Sequence, residues 1–120
     1  MRILVVDDDP DICALFRTVL TTSGYTVDVA PNGVAAFARL GQEPRVGLLI
    51  TDVHMAPMNG IQLVRAMRQD PRFQQVPIIV QTSDDMVARD NCWVELGVER
   101  IMVKDKFLRW LRDTVRSRVG

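Results

Sequence analysis

The chain predicts an α/β domain built on an open parallel sheet with helices on both faces, and three patterns point to it. Short apolar runs rich in branched residues alternate with helix-like stretches along the whole length. The runs are continuously apolar, as strands buried on both faces require. Each run also ends in polar or charged residues. Ile3-Leu4-Val5-Val6 leads into Asp7-Asp8, and Gly47-Leu48-Leu49-Ile50 into Thr51-Asp52. Val76-Pro77-Ile78-Ile79-Val80 leads into Gln81-Thr82-Ser83, and Ile101-Met102-Val103 into Lys104. In an open parallel sheet the carboxyl ends of the strands form the ligand-binding edge.

Taken in order, Arg2–Val6 is the first strand. The helix after it has Asp9 as N-cap and Pro10 at its first position, with Ile12, Leu15, Phe16, Val19 and Leu20 at helical spacing. Ser23-Gly24 closes it. Thr26–Ala30 is the second strand, Pro31-Asn32-Gly33 a turn and 34–40 the second helix. Residues 46–51 form the third strand. Asn59-Gly60 opens a helix through Ile61, Leu63, Val64 and Met67. It stops at Asp70-Pro71, because a residue before proline avoids helical backbone. A fourth strand at 77–81, a helix at 86–96 closed by Gly97, a fifth strand at 99–103 and a last helix at 107–119 complete a (βα)5 chain. Such alternation implies parallel strands joined by right-handed crossovers.

A length of 120 residues fits one domain, 1–120, and no output module is visible after the last helix. The 15 basic and 15 acidic residues cancel, which argues against a basic nucleic-acid-binding surface. No apolar run approaches the roughly 20 residues that span a bilayer. Met1-Arg2 precedes too short an apolar run for a signal peptide, so the expected compartment is the cytoplasm, without membrane insertion. Cys13 and Cys92 form neither a CxxC pair nor a zinc spacing and read as buried or half-buried small apolar residues.

The strand ends carry the chemistry. Asp7 and Asp8 are adjacent acids that repel each other unless a cation or solvent compensates. A hard divalent ion such as Mg²⁺ takes oxygen ligands and typically one or two carboxylates. The ordinary alternative, helix capping, fits Asp9 and Asp11 better, since they flank Pro10. Asp52 alone would be an unremarked strand-end acid. If the first and third strands are neighbours at the switch point of the sheet, however, Asp8 and Asp52 converge on one crevice. A carboxylate beside a bound cation can accept a phosphoryl group as an acyl phosphate. The Thr82 hydroxyl and the Lys104 ammonium can each meet a phosphoryl oxygen. Taken singly, Thr82 also reads as part of a capping segment and Lys104 as a solvated lysine. The signal lies in their joint placement.

With these residues in view, the chain resembles the receiver domain of two-component response regulators over nearly its whole length. The resemblance rests on ILVVDDDPDI, LLITDVHMAPMNG, VPIIVQTSDD and LGVERIMVKD, in that order and spacing. It implies a doubly wound, flavodoxin-like sheet of strand order 2-1-3-4-5. It implies Asp52 as acceptor of a phosphoryl group from a sensor histidine kinase or phosphotransfer protein. Mg²⁺ (or Mn²⁺) would be held directly by Asp8 and Asp52, largely through water by Asp7, and by the backbone carbonyl of His54. Thr82 would be the switch hydroxyl and Lys104 the phosphoryl-pairing lysine, with His54 and Asp84 modulating phosphoryl lifetime. Several positions depart from the family pattern, including Pro57, which falls one place later than usual with Ala56 ahead of it, and Trp93, where a small residue is common. Asp105 stands where a cis proline usually follows the lysine, and a non-proline cis bond costs about 2.5–4 kcal/mol. The implied outcome is a trans bond with a reshaped loop, or a strained cis bond. Ile101 replaces the usual reporter aromatic.

The resemblance also implies an output face on the fourth helix, fifth strand and last helix, where Trp93, Ile101 and Trp110 map. At about 100° per residue, Trp110 lies opposite the core stripe begun by Leu108. This face is expected to dock an output protein or a second copy. The chain is thus expected to be a phosphorylation-switched signalling domain that turns over no separate substrate. A phosphorylation-independent interaction module on the same fold is the alternative. A flavin- or dinucleotide-binding enzyme is disfavoured, because no GxGxxG follows the first strand and Asp7-Asp8 would repel a phosphate. A phosphatase with an aspartyl nucleophile would need a DxD after that strand, and Asp7 and Asp9 match the spacing only nominally.

Overall fold

The structure, a computed structural model, describes residues 1–82 and 92–103. Along the chain these form β1 (Arg2–Val6), α1 (Pro10–Thr22), β2 (Thr26–Ala30), α2 (Gly33–Leu40) and β3 (Leu48–Thr51). Then follow α3 (Gly60–Gln69), β4 (Ile78–Thr82), α4 (Cys92–Glu95) and β5 (Arg100–Val103). The five strands pair in parallel in the order β2-β1-β3-β4-β5. Most of the expected helix at 86–96, and the whole helix at 107–119, lie outside the described residues.

The helix starts follow local chemistry. Asp9 caps α1 by accepting the Asp11 N–H, with Pro10 next in the chain. Asn59 and Gln62 form a reciprocal capping box at the start of α3. Asn32, expected in a turn, caps α2 by accepting the Ala35 N–H.

Alternate strand residues serve opposite faces of the sheet. Ile3, Val5, Leu48, Ile50 and Ile79 pack with Cys13, Phe16 and Leu20 of α1. Leu4, Val6, Leu49, Ile78 and Val80 pack with residues of α2 and α3, including Leu40, Leu63 and Met67. Leu15, expected in the core stripe of α1, is exposed, and Cys13 takes its place. Trp93, expected on a docking face, is 1% exposed and belongs to the second of these clusters. The largest apolar side chain of its segment is more stable inside, so it offers no docking surface. Ile101 is half-buried against the same cluster.

Arg68 ties α3 to the end of α4. Its Nε donates to Leu96 O at 2.7 Å and its Nη2 to Gly97 O at 3.1 Å. Its Nη1 donates to Gln74 O and Val76 O in the loop before β4. Gly97, at φ 68°, takes the left-handed turn that ends this segment.

Asp28 of β2 accepts from Arg2 Nη1 at 3.0 Å, and from Arg39 at Nη2 (2.8 Å) and Nε (3.1 Å). Burial raises its carboxyl pKa, but the hydrogen bonds and charges of the two guanidinium groups outweigh burial and hold it below its ordinary value. A carboxyl depressed in the folded state adds stability above its unfolded pKa and loses it as pH falls through the folded value. Asp28→Asn is therefore expected to lower stability by about 1 kcal/mol at pH 7. Denaturant melts should show that difference shrinking as the pH drops below about 4.

Candidate metal and phosphoryl site

One backbone bond brings the acids together. The Asp52 N–H donates to Val6 O at 2.9 Å, so the end of β3 lies against the residue that precedes Asp7. On the other side, the Asp7 N–H donates to Ala30 O of β2 at 3.1 Å. The chain thus leaves β1 and β3 side by side, with the acids at the same edge. Carboxylate oxygens of Asp7, Asp8 and Asp52 all lie within 4.8 Å of one another. Asp7 and Asp52 are buried at 1% and 6% exposure, whereas Asp8 is open to solvent.

The buried carboxylates are held in place. Asp52 Oδ1 accepts the Val53 N–H at 2.7 Å. Asp7 Oδ1 accepts the Asp9 N–H at 3.0 Å, and its Oδ2 accepts from Gln81 Nε2 at 2.8 Å. Asp52 O accepts from the Thr51 hydroxyl at 2.8 Å, which fixes the peptide after the acid. Cys13 Sγ lies 3.4 Å from Asp7 O and donates to it. Burial, and then the Asp7 carboxylate, push this thiol above its ordinary pKa, so Cys13 is a packed donor rather than a nucleophile.

Three carboxylates at this spacing, two of them buried, repel strongly in a low-dielectric site. An all-oxygen donor set with one open side is what Mg²⁺ prefers, since it keeps several of its waters. Asp7, Asp8 and Asp52 therefore fit a hard divalent cation.

Thr82, fully buried, ends β4 opposite Val103 of β5. The pairing of Thr51 with Val80 puts the ends of β3 and β4 at the same edge. His54 is exposed in the loop after β3, where the Ala56–Pro57 peptide is cis. Asp84, Lys104, Trp110 and the Lys104-Asp105 peptide lie outside the described residues. Two contributors escaped the sequence reading of the site. Gln81 was seen only as a polar strand end, although a glutamine after Ile78-Ile79-Val80 in a buried strand is the signal of a buried polar contact. Gly60 was seen only as a helix start. In the structure its N–H donates to Val53 O at 2.9 Å, and a Cβ there would collide with Asp52 O.

A five-stranded 2-1-3-4-5 parallel sheet with three carboxylates at its carboxyl edge is a flavodoxin-like arrangement with a candidate cation site, and the comparisons give the family. The chain belongs to the response regulator receiver domain family, whose model matches residues 3–116. It is 36% identical to the chemotaxis protein CheY1 of Helicobacter pylori, over all of this chain and 98% of that protein. A response regulator receiver protein from Pseudomonas putida superimposes with a TM-score of 0.90 at 30% identity, covering 97% of this chain and 95% of that one. The response regulator TrrA from Thermotoga maritima, solved in complex with Mg²⁺-BeF, superimposes with a TM-score of 0.85 at 28% identity, covering 97% and 96%. The Pseudomonas and Thermotoga likenesses support the receiver fold.

The close approach of α3 to Asp52 makes Gly60 a sensitive position. Gly60→Ala is expected to cost about 1–3 kcal/mol, the usual penalty for an added methyl in a packed site. Because the displaced atom is the Asp52 carbonyl, Mg²⁺ affinity measured by calorimetry should fall along with the melting temperature.

Proposed function

We propose that this domain receives a phosphoryl group on Asp52 from the phosphohistidine of a sensor histidine kinase or phosphotransfer protein. The convergence of Asp7, Asp8 and Asp52, with Asp52 buried and braced by the Val53 N–H, carries this reading. A Mg²⁺ (or Mn²⁺) ion held by these acids and the His54 carbonyl would offset charge on the incoming phosphoryl oxygens. An Asp52 carboxylate oxygen attacks phosphorus in line. The P–N bond breaks, its electron pair stays on the imidazole nitrogen, and that nitrogen takes a proton. In the reverse sense of the switch, water attacks phosphorus, the P–O bond to Asp52 breaks, and inorganic phosphate leaves. Asp7 and Asp8 orient the ion-binding edge; Thr82 donates to one phosphoryl oxygen and Lys104 pairs with another.

The domain transforms no substrate of its own beyond this transfer and the hydrolysis of its own acyl phosphate. Recruitment of Thr82 and Lys104 by the phosphoryl group biases two arrangements of the surface around β5, a population shift. Ile101 and Trp110 remain the candidates for that surface, which would meet an output protein or a second copy. Trp110→Ala should weaken that capture or dimerisation. His54 and Asp84 flank the acceptor and the switch hydroxyl in sequence and would tune the lifetime of the acyl phosphate.

Incubation with Mg²⁺ and acetyl phosphate, followed by peptide mapping by mass spectrometry, tests the reading. Phosphate on Asp52, absent after chelation and absent in Asp52→Asn, is the expected result. In the same assay, His54→Ala and Asp84→Ala should change the decay rate several-fold. No adduct at Asp52, where a control receiver reacts, would favour a phosphorylation-independent interaction module.

A further inference from the structure

Gln81 is the one buried amide in contact with the acids among the described residues, and neither its burial nor its bonding suits an ordinary core residue. It is 1% exposed. Its Nε2 donates to Asp7 Oδ2 at 2.8 Å, between residues 74 positions apart. The carboxylate only accepts, so the amide must turn its NH₂ towards Asp7. Its other end is unserved: Gln81 Oε1 is buried and has no partner among the described residues. A glutamine kept for a satisfied core network would engage both ends, because buried polar atoms are normally paired. This one engages only the end that faces the Asp7 carboxylate, and it does so from β4, reaching past β3 to the end of β1.

We infer that Gln81 is a positioning residue for the cation site, holding the Asp7 carboxylate in the orientation that serves the ion. The inference rests on the reading that Asp7, Asp8 and Asp52 hold Mg²⁺. With Asp7 Oδ1 on the Asp9 N–H and Oδ2 on Gln81, the carboxylate plane is fixed at both oxygens. A carboxylate oxygen carries two lone pairs, so an oxygen that accepts one hydrogen bond can also serve the ion or its water shell. Groups that orient a ligand from outside are worth tenfold or more in metal affinity. The bond also joins Asp7 to the strand that ends in Thr82, so the ion-binding and switch-hydroxyl ends of the site share one brace.

The test is a double-mutant cycle on Mg²⁺ binding by calorimetry, using the full chain, with Gln81→Met, Asp7→Asn and the double variant. Gln81→Met nearly conserves volume; Gln81→Leu replaces it if the methionine variant does not fold, as judged by thermal melts. The expected result is about a tenfold weaker Mg²⁺ dissociation constant for Gln81→Met. The Gln81→Met change should have little further effect once Asp7 is Asn, because the glutamine acts through that carboxylate. With acetyl phosphate, the Mg²⁺ concentration for half-maximal labelling should rise while the plateau rate is retained. A dissociation constant within twofold of the parent, or an equal loss in both backgrounds, overturns the inference. Absence of Mg²⁺ binding by the parent chain itself would instead overturn the reading on which it rests.

Discussion

The hydrogen bond from the Asp52 N–H to Val6 O is the contact on which the site depends. It is the last rung of the β1–β3 ladder, and it sets the ends of two non-consecutive strands beside each other. Without that adjacency Asp7, Asp8 and Asp52 would be separate strand-end acids. With it they become one mutually repelling cluster that a divalent cation can stabilise. The hydrophobic packing of both sheet faces supports the rung: every β1 residue from Ile3 to Val6 and every β3 residue from Leu48 to Ile50 is fully buried.

Burial and function pull in opposite directions at this edge. Asp7, Asp52, Gln81 and Thr82 are all buried polar residues at the ends of otherwise apolar strands. Burying such groups is costly unless they are bonded, and the two carboxylates meet that cost with the neighbouring Asp9 and Val53 N–H groups and with the Gln81 amide from β4. The partners do double duty, since they also fix where the carboxylates point. The far end of the Gln81 amide is left without a partner among the described residues, and an unserved buried acceptor costs stability.

Much of this was readable from the chain. Strand β1, both termini of α3 and the Asp9–Pro10 start of α1 follow from apolar continuity and capping chemistry, which are local. The strand-end acids were legible for the same reason, because a strand that ends in Asp places it at the edge whatever the rest does. Element edges were less so: β3 starts at Leu48 rather than residue 46, and β4 runs one residue further, to Thr82. What local pattern could not give was orientation set by distant neighbours. Trp93 looked like a docking residue by position but turns inward, because the cluster around Met67 and Val80 can bury it. Leu15 matched helical spacing yet faces out. The Gln81–Asp7 contact depends on β4 lying two strands away from β1, which is a property of the assembled sheet.

The central claim is that the carboxyl edge of β1 and β3 is a divalent-cation site. Paramagnetic Mn²⁺ added to the ¹⁵N-labelled chain tests it most directly, by showing which backbone amides lie beside the ion. The account predicts selective broadening of Asp7, Asp8, Asp9, Asp52, Val53 and His54, reversed by excess Mg²⁺ and abolished in Asp52→Asn. Broadening centred elsewhere, or none at these amides, would contradict it.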